Sequence, residues 1–122
     1  MNDKERKDEL YLKGLEAYHQ GKYNDAHEFW EDLWCHYYLK DKIFIQGLIM
    51  LTVSFAHLQY GNLSGAKGLI KKCQVKFADY KGIHRNINVN ILMKEIRTVE
   101  EYYKTIENTS EFNWDLVPEL VK

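Results

Sequence analysis

Residues 43–58, IFIQGLIMLTVSFAHL, are apolar on nearly every side when wound as a helix at about 100° per residue. Such a helix is either the buried centre of a bundle or a membrane span. Spanning takes roughly 20 apolar residues, and Gln46, Thr52, Ser54 and His57 interrupt this run. The stretch therefore reads as a central helix, over about 42–60, that other helices must cover. Asp41 is a suitable N-cap for it. Gly47 suits a tight helix crossing at its middle.

The flanking chain supplies the cover. A first helix is expected over about 4–20, with Leu10, Gly14, Ala17 and Tyr18 on its apolar stripe. Gly14 would let a neighbour come close, and Gly21 would end the helix. A second helix follows at once, YNDAHEFWEDLWCHYY, so the two form an antiparallel hairpin. It places Tyr23, Ala26, His27, Trp30, Leu33, Trp34 and Tyr37 on one face. A fourth helix is expected over about 63–80, closed by Gly82, and a fifth over about 90–108 with Leu92, Ile96, Val99, Tyr103 and Ile106 inward. KGIHRNINVN reads as a polar connection, and no alternating strand pattern is evident. Phe112, Trp114, Leu116 and Val117 near Pro118 are too apolar for water, so the end of the chain is expected along the bundle or on a second subunit. The expectation is one all-α domain over 1–122, with a core over about 8–108 and a packed tail over 109–122.

An internal repeat relates Gln20–Leu33 to Tyr60–Cys73: Gly21 matches Gly61, Tyr23 matches Leu63, Ala26 matches Ala66, and Phe29-Trp30 matches Leu69-Ile70. Each copy is a helix end, a glycine turn and a helix that opens on small residues. The G-x-Y-x-x-A pattern resembles the tetratricopeptide unit, but the repeat is longer than the usual ~34 residues and the closing proline is absent. The shared feature is a hairpin geometry, with no licence to infer a peptide-binding solenoid.

Seventeen basic and eighteen acidic residues leave a net charge of -1, which gives no reason to expect nucleic acid or a membrane as partner. The one basic cluster, Lys67, Lys71, Lys72 and Lys76, reads as a solvated helix face. The charged start MNDKERKDEL is no secretory signal, and Cys35 and Cys73 form no C-x-x-C pair, so reduced thiols in a cytoplasmic protein are expected. Ser54 and Ser64 sit in no G-x-S-x-G setting, and GNLSGAKG lacks the G-K-[ST] ending of a phosphate loop.

Chemistry is best sought where polar groups enter apolar faces, because their burial is costly unless they are paired. His27 lies on the inner face of the second helix, Glu31 one turn on, and Gln46 and His57 point the same way from the third. These four could meet, walled by Trp30, Trp34 and Tyr60, with Glu28 behind His27. Such a cluster could lock helix register, form a small-molecule or peptide pocket, or hold a divalent metal through His27, Glu31 and His57. HEFWE is only a partial match to the zincin H-E-x-x-H. A buried His27 paired with Glu31 or Gln46 would cost about 1–3 kcal/mol on truncation to alanine.

The run Ala26-His27-Glu28-x-x-Glu31-x-x-Trp34, followed by Gln46-Gly47-Leu48-Ile49, His57, Gly61-Asn62 and Gly65-Ala66, resembles the small helical family called domain of unknown function 309. The resemblance covers roughly 10–80 and implies a compact all-α bundle with no established activity. It places the family's characteristic residues on His27, Glu28, Glu31, Trp34, Gln46 and His57. The resulting expectation is a non-enzymatic binding module, its ligand a small molecule or protein and its groove between the second and third helices. No cofactor is expected. The alternative is a metal-dependent hydrolase using His27, Glu31 and His57. An exposed Phe112 and Trp114 would point to a homodimer.

Overall fold

The computed structural model describes residues 2–121. Helices α1 (Asp3–His19), α2 (Tyr23–His36), α3 (Lys42–Gln59) and α4 (Leu63–Phe77) are followed by a two-stranded antiparallel hairpin, β1 (Ile83–His84) and β2 (Ile87–Asn88). Then come α5 (Val89–Tyr103) and two short 3-10 turns, Thr109–Glu111 and Trp114–Leu116. The chain is an all-α bundle, as expected.

Helix α3 is its centre. Phe44, Ile45, Leu48, Leu51, Thr52, Ser54 and Phe55 are fully buried. By length and apolarity alone α3 could cross a membrane, but 56% of that stretch is buried against its neighbours. Ser54 donates to the Ala66 carbonyl at 2.8 Å, which leaves the Tyr103 hydroxyl to donate to Ser54 Oγ at 2.9 Å. One serine thereby ties α3 to α4 and α5 and is satisfied in doing so. Gly47 works as anticipated: a Cβ there would lie 2.7 Å from Phe77 of α4.

The two helical hairpins share one turn. Gly21 has φ +75 and Gly61 φ +79. The following amide reaches back to a carbonyl of the last turn in each: Lys22 to Ala17 at 2.9 Å, Asn62 to His57 at 2.8 Å. Ala26 and Ala66 are both fully buried one turn into the next helix. In the first hairpin the contact is unusually close. Trp30 is fully buried, and a Cβ on Gly14 would lie 2.0 Å from its Nε1. That Nε1 donates to the Tyr11 carbonyl at 3.1 Å, so the indole is seated by shape and by one directional bond.

The end of the chain lies on the bundle. Phe112 and Leu120 are buried, and the Tyr18 hydroxyl donates to the Pro118 carbonyl at 2.8 Å. Trp114 remains 41% exposed, with its ring stacked on Tyr23. The condition set for a dimer, both rings exposed, is therefore not met at Phe112.

Three readings are corrected. The segment after α4 is not merely a polar connection. Ile83-His84 pairs with Ile87-Asn88 around Arg85 and Asn86, which take φ of 50 and 62. Two consecutive positive φ values mark the tight turn that suits hairpin twist, and asparagine tolerates it well. Asp41 sits at the N-cap position but makes no capping bond. Its carboxylate is taken by the hairpin instead: Arg85 binds both oxygens, and His84 Nε2 lies 2.8 Å away. Finally, α4 and α5 stop at Phe77 and Tyr103, short of the expected 80 and 108.

Arg85 also lies over the Tyr11 ring, 4.5 Å from its centroid, and His84 packs on Phe44 and Tyr80. Asp41 thus joins α1, α3 and the β-hairpin. Burial pushes its carboxyl up, and the bonds from Arg85 and His84 outweigh this, holding it below the usual carboxylate range. A depressed folded-state pKa gives stability that is present above the unfolded value of about 3.9 and lost as pH falls through the folded value. Asp41→Asn should cost about 1–3 kcal/mol in urea unfolding at pH 7. That deficit should shrink towards pH 3, where the wild-type carboxylate is itself being protonated. Gly14→Ala should lower the urea midpoint at unchanged m, by about 1–3 kcal/mol, because the overpacking against Trp30 exceeds the ~1 kcal/mol helix-propensity gain.

Candidate functional site

The periodicity of α2 places its side chains in two tiers. Tyr23, Ala26, Trp30 and Leu33 are buried, while His27, Trp34 and Tyr37 are half-buried at the margin. Trp30 therefore walls no pocket, because it is consumed by the α1 interface. Tyr60 is 73% exposed at the end of α3 and walls nothing either.

His27 and Glu31 do pair, Nε2 to Oε2 at 2.5 Å, within one turn of α2. Both are accessible, at 31% and 52% of their side-chain surface. Together with Glu28, Asp32, Cys35 and His36 they line a shallow cleft on the outer side of α2. Glu31 also borders a second cleft of about 180 Å³, shared with Trp34 of α2 and with Gln46, Ile49 and Met50 of α3. Glu31 thus lines both clefts.

Gln46 and His57 lie on the same side of α3 but serve different neighbours. Gln46 lines the same cleft as Glu31 and Trp34 of α2. His57 lies against the first turn of α4, its Nδ1 3.4 Å from Asn62 Nδ2 and its ring against Gly65. Neither cleft includes His57. Among the described residues no three His, Cys, Asp or Glu side chains come together so as to hold a metal ion. The metal set His27, Glu31 and His57 is corrected on that ground: two of its members share a helix turn, and the third is engaged elsewhere.

The cleft of Glu31, Trp34 and Gln46 has one unusual feature. Trp34 Nε1 is shielded from solvent yet has no hydrogen-bond acceptor. Buried donors are rarely left unpaired, and leaving one costs about 1–3 kcal/mol. The Lys42 ammonium lies 4.4 Å from the centroid of the Trp34 ring. A long, exposed lysine side chain thus lies over the indole ring.

One polar constellation escaped the sequence reading: Asp41 with His84, Arg85 and Tyr11. Asp41 lies more than forty positions from His84 and Arg85, and the only local signal was a pair of residues between Ile-His and Ile-Asn. Burial pushes the Tyr11 hydroxyl up to about 12, so it stays protonated at neutral pH. All the charges here are mutually satisfied, and the cluster reads as a latch rather than a site.

The surface position of the His27–Glu31 pair changes its expected energetic weight. His27→Ala should cost under about 1 kcal/mol in thermal or urea unfolding, as exposed i,i+4 pairs do, and not the 1–3 kcal/mol of a buried partner.

Residues 11–69 match the family model described as Domain of unknown function (DUF309). That match covers α1 from its middle, all of α2 and α3, and the first half of α4. No curated protein and no solved structure matches the chain.

Proposed function

With residues 11–69 resembling DUF309, a family of unknown function, we propose that this chain is a non-enzymatic binding module that takes an amphipathic helical segment of a partner protein. The segment would lie along α3, between α2 and α4. The observation that carries this reading is the one edge of α3 that is only partly covered. Ile43, Gln46, Met50, Val53 and His57 recur at three- and four-residue spacing; Ile43 is exposed and the other four are half-buried, on a helix whose opposite face is fully buried. This is the mirror image of what an amphipathic helix presents when it docks in a groove. Met50 is suited to such a role because its unbranched thioether adapts to different partners. Trp34, with its unpaired donor, borders the row at the Gln46 end. A partner acceptor that reached its Nε1 would satisfy that indole.

Selection from a displayed library of helical peptides, followed by affinity measurement on the purified protein, tests the reading. Selected peptides are expected to carry apolar residues at i, i+3 or i+4, and i+7. Met50→Glu is expected to weaken them by at least about tenfold, roughly 1.4 kcal/mol, while leaving the melting temperature within a few degrees. Peptides that bind Met50→Glu as tightly as wild type, or a library that yields no binder, would overturn it.

A further inference from the structure

Six of the seven glycines have a structural reason. Gly21, Gly61 and Gly82 take positive φ, and a Cβ at Gly14, Gly47 or Gly65 would meet a neighbour within 3.0 Å. Gly68 has neither. It lies inside α4, and a Cβ there would meet nothing within 4 Å. A glycine inside a helix costs about 1 kcal/mol relative to alanine, and no packing contact here offsets it.

The space that Gly68 leaves open is part of a cleft of about 260 Å³ between α4 and α5. Ile70 and Tyr103 share its lining with Gly68. The Tyr103 hydroxyl is already bonded to Ser54, so the tyrosine can offer the cleft only its ring. Lys67, Lys71 and Lys104 form the rim, all exposed. Lys104 is paired with Glu101 at 2.9 Å, while Lys67 and Lys71 make no ion pair among the described residues. The one acid in the lining, Glu100, accepts from Gln74 Nε2 at 3.2 Å. The cleft therefore combines an apolar floor with two uncommitted cations above it.

We propose that this cleft binds a small anionic amphiphile, with a short acyl or aryl body against Gly68, Ile70 and Tyr103 and a carboxylate or phosphate head on Lys67 and Lys71. The volume lies just under the ~300–1,000 Å³ of typical small-molecule sites, which sets the scale of the body. Lysines alone in water hold an anion weakly, and the floor supplies the apolar burial that makes a joint site worthwhile. The site is separate from the exposed edge of α3, so it stands whether or not a helix docks there.

Octanoate and hexyl phosphate, titrated into the intact protein and followed by amide and aromatic NMR shifts, distinguish the two head groups. Octan-1-ol and inorganic phosphate test the body and the head alone. At least one amphiphile is expected to bind about tenfold or more tighter than octan-1-ol, shifting the Gly68 amide and the Tyr103 ring, with inorganic phosphate inert. Gly68→Phe should fill the cleft and abolish binding while the melting temperature holds or rises. Lys67→Glu with Lys71→Glu should weaken binding by at least about tenfold. Should Gly68→Phe fail to fold, Gly68→Met makes the same test. Equal binding of octan-1-ol, undiminished binding to a folded Gly68 variant, or no binding of either amphiphile at millimolar concentration overturns the proposal.

Discussion

Covering an apolar helix on almost every side takes several neighbours at once, and α3 obtains them from α1, α2, α4, α5 and the segment after α5. Phe44 meets Phe77 and Tyr80, Phe55 meets Tyr18, Tyr23 and Phe112, and Ser54 reaches Ala66 and Tyr103. These contacts join residues far apart in sequence, and helices of this length are marginal in water without such packing. Hydrophobic burial brings them in, and the few buried hydrogen bonds decide their register. Trp30 in the notch of Gly14 then fixes how α1 lies against α2.

Most of this was legible because it rests on local periodicity. The burial of Leu92, Ile96, Val99 and Tyr103, the turns at Gly21 and Gly61, and the close approaches at Gly14 and Gly47 all follow from spacing and residue type. The β-hairpin was not legible, because two-residue strands carry too little alternation to register. Nor was the loss of Asp41 as a cap. An aspartate before a helix usually bonds the helix amides, but here a guanidinium and an imidazole from a distant turn compete for it and win.

The candidate site was half legible for the same reason. His27 and Glu31 share a turn, and their pairing is a property of helix geometry. Whether Trp30 or Trp34 faced the groove depended on where α1 lay, which no spacing rule within α2 reveals. The split between Gln46 and His57 likewise depended on two different neighbours meeting one side of α3. Angular position on a helix says which residues share a side, and only packing says what each of them touches.

The paired hairpins also differ in a way their shared turn conceals. Helix α2 carries Asp25, Glu28, Glu31 and Asp32 and no lysine or arginine, whereas α4 carries Lys67, Lys71, Lys72 and Lys76 and no acid. The two helices flank α3, so acidic and basic side chains are segregated onto different helices of a molecule whose net charge is -1. A charged surface therefore meets local fields of opposite sign at α2 and at α4. Those local fields reach over roughly a Debye length, about 8 Å at physiological salt. Near-neutrality thus does not make this protein electrostatically featureless: which of these two helices faces a charged surface decides the sign of the field that surface meets.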